Sequence, residues 1–327
     1  HKLITGGDVP SMVALLEGLS EDAIGMNCSL GPREMLKILP TIASETLLPI
    51  AVNPNAGLPR TDDEGKTVYD VSADEFADAM IEMAKAGASL LGGCCGTTPG
   101  ISVAQRNIVK RSIVTSATRI CELGGDRLTI IGERINPTGK PKFKDALRRG
   151  DVDYAVNEAH TQAAAGADVL DVNVGLPEID ECAMLTETVE RIQAVCDLPL
   201  QIDTALPTAM EAALRRYHGK ALINSVNGSE ASMSAILPLA AKYGGMIVAL
   251  TLDESGIPDS ASGRFEIAKR IVEKAAEYGI PKEDILIDPL TLTLGADPLA
   301  AQKTLGAVKM IKEELGVATS LGVSNIS

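Results

Sequence analysis

The chain has no Trp, three Phe and five Tyr in 327 residues. With aromatics at 2%, any core must be aliphatic, built from Ala, Leu, Ile, Val and ten Met. Basic residues are also scarce: 30 Lys and Arg against 44 Asp and Glu leave a net charge of -14. That excludes the basic surface needed to hold nucleic acid or an anionic membrane. No apolar run approaches the roughly 18 residues of a membrane-spanning helix. Six Cys are too few for a disulfide-stapled secreted module, and no signal peptide is present, so a cytoplasmic protein is expected. What is present has the balance of a globular protein, 45% hydrophobic and 23% charged. At roughly 150 residues per domain the length suggests two domains. The chain opens on His1 rather than Met and ends on a strand-like run, so a piece cut from a longer polypeptide is expected.

From residue 128 onward short β-branched or Leu-rich runs alternate with longer amphipathic segments, the signature of βα units around a parallel sheet. Strands are expected at 128–132, 168–172, 200–203, 221–224, 246–251, 285–288 and 318–323. Helices are expected at 151–165, 183–195, 207–217, 230–243, 263–278 and 299–315. Gly166, Gly244, Gly279 and Gly316 each follow a helix as a stop signal. Seven strands and six helices fit a (β/α)8 barrel lacking its last unit. Residues 1–111 repeat the rhythm with strands at 23–27, 48–53 and 89–92 and helices at 9–18, 32–44, 73–85 and 100–110. Three strands cannot close a barrel, but they could be the last units of another one. Residues 112–126, with Ser, Thr, Arg and a Gly pair, read as a linker to a second domain, 127–327.

Chemistry in parallel barrels sits at the C-terminal ends of the strands. Here those ends carry Glu133 and Asn136, Asp171 and Asn173, Asp203, Asn224, Asp288 and Asn325. Any one of them could simply cap the helix that follows. Capping does not, however, require a polar residue on nearly every strand. A rim of Asp and Asn without Lys or Arg suits a neutral heterocycle with paired N–H donors, such as a pterin.

Cys28 ends one strand run, and Cys94 and Cys95 follow Leu90-Leu91-Gly92-Gly93. Free Cys is often a small buried hydrophobe, which is the reading for Cys121, Cys182 and Cys196. Adjacent Cys at a Gly-rich strand end can aim two thiols at one point. With Cys28 they offer three thiolates and room for a fourth ligand, the layout of a catalytic zinc site, although the spacing is not a CxxC pair.

Gly25-Met26-Asn27-Cys28-Ser29 together with Gly92-Gly93-Cys94-Cys95-Gly96-Thr97-Thr98-Pro99 resembles the zinc-binding half of homocysteine S-methyltransferase domains. Ile131-Gly132-Glu133-Arg134-Ile135-Asn136-Pro137-Thr138-Gly139 resembles the opening of a pterin-binding methyltransferase barrel. Asp171-Val172-Asn173-Val174-Gly175, Ile202-Asp203-Thr204, Ile223-Asn224-Ser225, Asp288-Pro289-Leu290 and Gly322-Val323-Ser324-Asn325 continue it in order. The two motif sets in this order resemble the front half of the cobalamin-dependent methionine synthase family. The resemblance implies an α/β fold of two TIM-type (β/α)8 barrels in tandem, the first truncated at its N-terminus and the second at its C-terminus.

It also implies methyl transfer from 5-methyltetrahydrofolate, through cobalamin, to a zinc-activated homocysteine thiolate. Cys28, Cys94 and Cys95 would hold zinc. Glu133, Asn136, Asp203, Asn224, Asp288 and Asn325 would hold the pterin, with Asn325 the catalytic residue nearest the methyl-bearing nitrogen. An Asp-x-His-x-x-Gly cobalamin motif is absent, so methylcobalamin is expected on a domain or protein outside this chain. The Arg that the family places near the folate tail is absent too. A corrinoid methyltransferase for another thiol, a folate-binding module without turnover and a dihydropteroate synthase remain as alternatives, the last opposed by the paired-Cys domain.

Overall fold

The computed structural model describes residues 6–19, 21–95, 97, 110–125, 127–291 and 299–323, in two units, His1–Lys110 and Arg111–Ser327. The first unit runs α1 (Val9–Gly18), β1 (Ile24–Asn27), α2 (Pro32–Glu45), β2 (Ile50–Asn53), β3 (Arg60–Thr61), β4 (Thr67–Val68), α3 (Ala73–Lys85) and β5 (Leu90–Leu91). α1 and α3 start where the sequence supplies side-chain caps, and α2 starts on Pro32. The Asp8 carboxylate accepts from the Ser11 amide at α1, and Ser72 and Glu75 form a reciprocal capping box at α3. β1, β2 and β5 form a parallel sheet in that order. Val13, Met35, Leu39, Ile50, Val52 and Met83 fill the core between sheet and helices, joined by Phe76 of α3. The small β3–β4 ribbon has no counterpart in the sequence reading, because two-residue strands carry no measurable period. The helix expected at 100–110 falls, but for Lys110, outside the described residues.

The second unit opens with β6 (Ile113–Thr115) and β7 (Ile120–Glu122). It continues β8 (Ile131–Ile135), α4 (Pro141–Arg148), α5 (Asp153–Ala164), β9 (Val169–Val172), α6 (Glu181–Gln193), β10 (Leu200–Asp203), α7 (Pro207–Leu214) and β11 (Leu222–Asn227). Then come α8 (Glu230–Tyr243), β12 (Met246–Leu250), α9 (Ala261–Glu277), β13 (Ile285–Asp288), α10 (Ala300–Met310) and β14 (Ala318–Thr319). β8 to β14 form one parallel sheet in chain order, the arrangement of successive βα units. Gly166, Gly244, Gly279 and Gly316 all have positive φ, as helix stops require. β14 is shorter than the expected 318–323 strand, and its pairing on β13 ends at Thr319.

A period of two along these strands decides what faces where. Leu170, Val172, Leu200, Ile202, Ile223, Ile247, Ile285 and Ile287 pack against the helices. The alternate residues Val169, Leu222, Met246, Val248 and Leu286 form a separate cluster on the other face of the sheet. Ile131 of β8 and Ala318 of β14, on the two edge strands, pack against this same cluster. The sheet must therefore curl so that its edges share an interior with its middle. Two residues further along the inward phase stand Glu133, Asp171, Asn224 and Asp288, with Asp203 at the same level of β10.

The segment read as a linker is instead the antiparallel hairpin β6–β7, docked on the second unit. Its Val114, Cys121 and Leu123 plug the apolar end of the inner cluster. A short run with alternate apolar residues, flanked by Arg, Ser and Gly, looks like a linker until it has a surface to cover. The Tyr217 hydroxyl donates to the Thr115 carbonyl (2.8 Å) and accepts from the Leu200 amide (2.9 Å). Thr115 and Lys220 exchange two further hydrogen bonds of 2.9 Å.

Tyr217→Phe would leave a buried carbonyl and a buried amide without partners. It is expected to destabilise the second unit by about 1–3 kcal/mol. Urea denaturation followed by circular dichroism measures this, and an unchanged midpoint would mean that the hairpin is not held through this hydroxyl.

Candidate functional site

The inward residues at the C-terminal ends of β9 to β11 are held by two sets of hydrogen bonds, one around Asp171 and one around Asp203. The Gln201 amide donates to Asp171 Oδ1, and Asn224 Nδ2 approaches the same oxygen at 3.4 Å. Asn173 Nδ2 donates to Asp203 Oδ2 at 2.8 Å, while its own Oδ1 accepts from the Gly175 amide. Beside Asp203, the Thr204 hydroxyl donates to Glu181 at the start of α6. Across the sheet, Asp288 Oδ1 accepts from the Leu290 amide at 2.8 Å. Asp171 is 4% exposed.

Burial is the first cause that raises the Asp171 pKa, to about 8, and the neighbouring Asp203 and Glu133 charges add to it. Burial likewise raises Asp203, reinforced by Glu181, and raises Asp288, partly offset by the positive charge of Arg264. A carboxyl with a pKa near 8 is mostly protonated at neutral pH and donates one hydrogen bond. This end of the sheet thus combines a donor carboxyl at Asp171, acceptors at Asp203 and Asp288, and an amide at Asn224.

The strand-end residues differ in how far local turns engage them. Asn136 Oδ1 accepts from the Thr138 amide, so this oxygen organises its own loop, and Asn136 is only partly buried. Glu133 is exposed, but its charge reaches Asp171, which places it at the same end of the sheet. Asp171, Asp203 and Asn224 cap no helix, whereas Asp180 and Ser229 do. Asn325 lies outside the described residues.

In the first unit Cys28, Cys94 and Cys95 come together, their sulfurs all within 4.8 Å of one another. Cys94 Sγ and Cys95 Sγ are 3.9 Å apart. The loops after β1, β2 and β5 are knitted by backbone bonds from Cys28 to Asn53, Cys94 to Pro54 and Ala56 to Cys95, of 2.9, 2.9 and 3.0 Å. Cys28 and Ser29 both adopt left-handed backbone, φ 60° and 64°, uncommon for side chains other than Gly. A Cβ at Gly92 would collide with Asn53 Oδ1 and one at Gly93 with Thr97 Oγ1, so glycine lets β5 lead into the Cys pair without displacing either side chain.

The Ser29 backbone N–H, first, then hydrogen bonds from Cys94, Asn55 and Cys95 hold the Cys28 thiol below its ordinary pKa. The same Cys28 sulfur, first, pushes Cys94 up. Asn55 is buried, and its Oδ1 has no hydrogen-bond partner among the described residues. Three converging soft sulfurs beside an orphaned amide oxygen could hold a thiophilic divalent cation. The Tyr69 hydroxyl, just after β4, lies near enough to Cys95 for that sulfur to push its pKa up. Asn55, Tyr69 and Gln201 were not nominated from sequence. Gln201 alone had a signal there, two residues before Asp203 and so in the same strand phase.

Residues 132–327 match the family model for pterin binding enzyme, and residues 1–101 match that for homocysteine S-methyltransferase. The chain is 32% identical over 349 residues to the methionine synthase of Mycobacterium tuberculosis (strain ATCC 25618 / H37Rv). It is 31% identical over 354 residues to that of Mycobacterium leprae (strain TN). Each alignment covers 99% of this chain, which spans 29% of the length of either relative. Among solved structures, dihydropteroate synthase from Xanthomonas albilineans in complex with 7,8-dihydropteroate superimposes with a TM-score of 0.46 at 24% identity, over 65% of this chain and 77% of that one. The same enzyme with 4-aminobenzoic acid gives 0.48 at 26% identity, over 65% and 77% of the two chains.

The raised carboxyls set a pH dependence. A carboxyl whose folded pKa lies above its unfolded value stabilises the fold fully below the unfolded pKa, and that contribution is lost as pH rises through the folded pKa. Stability of the second unit is therefore expected to fall between about pH 4 and pH 8 through Asp171. Asp171→Asn should flatten this decline and raise stability at pH 8 relative to pH 5. Urea midpoints at the two pH values check it; an equal decline in both proteins would mean that Asp171 ionises normally.

Proposed function

Because the chain belongs to the pterin-binding enzyme family through residues 132–327, we propose that its second unit holds the pterin ring of 5-methyltetrahydrofolate for methyl transfer. We further propose that the first unit activates homocysteine as the eventual acceptor, as the match of residues 1–101 suggests. The observation that carries the reading is the ring of inward Asp and Asn side chains, Asp203, Asn224 and Asp288, on three strands of one curled sheet. In this reading the two units are parts of tandem (β/α)8 barrels: 1–111 the C-terminal part of the homocysteine barrel and 127–327 the pterin barrel without its last unit. All six cysteines are free thiols, which suits a reducing cytoplasm.

Asp203 and Asp288 accept hydrogen bonds from the N–H groups of the pterin edge, and Asn224 supplies an amide between them. Glu133 and Asn136 line the first loop of the site. The methyl-bearing nitrogen is a poor leaving group until it gains a proton or a hydrogen bond. The family resemblance assigns Asn325 to that nitrogen. Asp171, kept protonated by burial, holds a proton at the same end of the sheet, four strands from Asp288.

In the first unit Cys28, Cys94 and Cys95 are the residues that would hold zinc, which when bound supplies the Lewis acidity that makes a fourth-ligand thiol a thiolate near neutral pH. The Gly92-Gly93 approach and the left-handed Cys28-Ser29 turn aim the three sulfurs. No residue of this chain is assigned to cobalamin. A cobalamin-binding domain or protein is the proposed partner that carries the methyl group between the sites.

The chain is expected to take up a single zinc, lost when Cys94→Ala and Cys95→Ala are combined. Asp203→Ala and Asp288→Ala should each weaken 5-methyltetrahydrofolate binding roughly ten- to a hundredfold, while Cys95→Ala leaves it unchanged. Metal analysis and calorimetric titration decide both points. Full zinc content in the double variant, or equal folate loss in all three single variants, would refute two separate sites.

A further inference from the structure

Arg264, on the first turn of α9, is 1% exposed, yet neither the sequence nor the proposed chemistry has a use for it. Its Nε donates to the Pro258 carbonyl at 3.1 Å. Its Nη1 reaches the carbonyls of Pro289 (3.0 Å) and Leu290 (2.6 Å) and the Thr304 hydroxyl (3.0 Å). Thr304, buried on α10, donates to the same Leu290 carbonyl at 3.2 Å. The guanidinium thus ties together the loop before α9, the loop after β13 and α10.

The loop after β13 is the one that needs holding. Leu290 has φ 59°, the left-handed conformation that a branched side chain rarely adopts. In that conformation its amide points back at Asp288 Oδ1, 2.8 Å away. Asp288 is also within reach of the Arg264 charge, which works against the burial that raises its pKa. A buried charged donor on two successive carbonyls of a strained turn is a costly arrangement, and its local consequence is a fixed Asp288 carboxyl.

We propose that Arg264 is the positioning residue for Asp288, clamping the Pro289 and Leu290 carbonyls so that the Leu290 amide fixes the carboxyl in the orientation that receives the pterin. The inference rests on the pterin reading of this end of the sheet, and Thr304 is the second member of the clamp.

The test is a double-variant cycle on the 327-residue chain, with 5-methyltetrahydrofolate affinity measured by calorimetry. Arg264→Gln should weaken binding about tenfold, on the scale of one charge-assisted hydrogen bond. In an Asp288→Asn background the same substitution should cause less than about a twofold further loss, because Arg264 acts through Asp288. Multiplying losses would assign Arg264 a general structural role and overturn the proposal. Thr304→Val removes one strut at nearly constant volume and should weaken binding in the same direction, again only when Asp288 is present. It carries the cycle if Arg264→Gln does not fold, and unchanged affinity in Thr304→Val would then overturn the proposal. A ligand-free readout separates the two ideas. Hydrogen exchange at the Leu290 amide should quicken in either variant, and unchanged exchange overturns the clamp whatever the ligand. An unsubstituted chain that binds no folate, but shows the quickened exchange in its variants, overturns the pterin reading and leaves the clamp as a device for Asp288 alone.

Discussion

Burial of carboxyl groups at one end of a curled parallel sheet is the constraint on which the second unit is organised. An ionised carboxylate removed from water is unfavourable by several kcal/mol unless it is paired, so such a group gains a partner or keeps its proton. Asp171 shows both responses. It accepts from Gln201 and Asn224, and still its pKa rises to about 8. Asp203 is steadied by Asn173, and Asp288 by the Leu290 amide. The neighbours of these acids are amides and backbone groups more often than cations. Bringing Lys or Arg among them would stabilise the empty site but occupy the acceptors a ligand needs. The charge that does serve the site, Arg264, works from behind the loop rather than among the acids.

The thiol cluster solves the opposite problem. A thiol must be made more acidic, and here the devices are backbone geometry and proximity. Left-handed Cys28 and Ser29 turn the Ser29 amide onto the Cys28 sulfur, which lowers its pKa at the expense of Cys94. The Cys94 contact that helps lower Cys28 is the one that raises Cys94, so ionising one sulfur hinders the next. Gathering a second and third thiolate in so small a space needs a divalent cation, which is why convergence of the sulfurs points to a metal more strongly than any single cysteine does. The glycines at 92 and 93 are part of that geometry, since a Cβ at either would displace Asn53 or Thr97.

The sequence was most readable where a period and a polar strand end coincide. The alternation Val169-Leu170-Asp171-Val172 gives both the strand and its inward acid, and the same holds for Ile285 to Asp288. Helix stops were readable because only glycine takes left-handed backbone without strain, as Gly244 and Gly316 do. Residues 112–126 misled because the hairpin has no period long enough to register and its purpose, covering Val169 and Leu222, exists only in three dimensions. Asn55 and Tyr69 were invisible for a similar reason: they reach the sulfurs from other loops, and nothing in their neighbourhood marks them. Arg264 hid in an ordinary amphipathic helix, where an Arg reads as surface.

The carboxyls and the sulfurs also differ in spacing, and that difference separates the ligands they can take. Among the described residues, the Cys trio is the one group of three or more metal-type ligands within 4.8 Å of one another. The acids of the second unit do not converge in that way. Asp171 and Asp203 stand on neighbouring strands, Asp288 three strands beyond Asp203, with the amide of Asn224 between. Strands about 4.8 Å apart spread such groups along an arc instead of gathering them at a point. A cation, which needs several oxygens at one centre, gains little from an arc. A flat heterocycle with donors along its edge can meet each group in turn, and a partly protonated set is better matched to a neutral ring than a fully charged one. The same period-two rule that builds the sheet therefore also selects the kind of molecule the rim can hold.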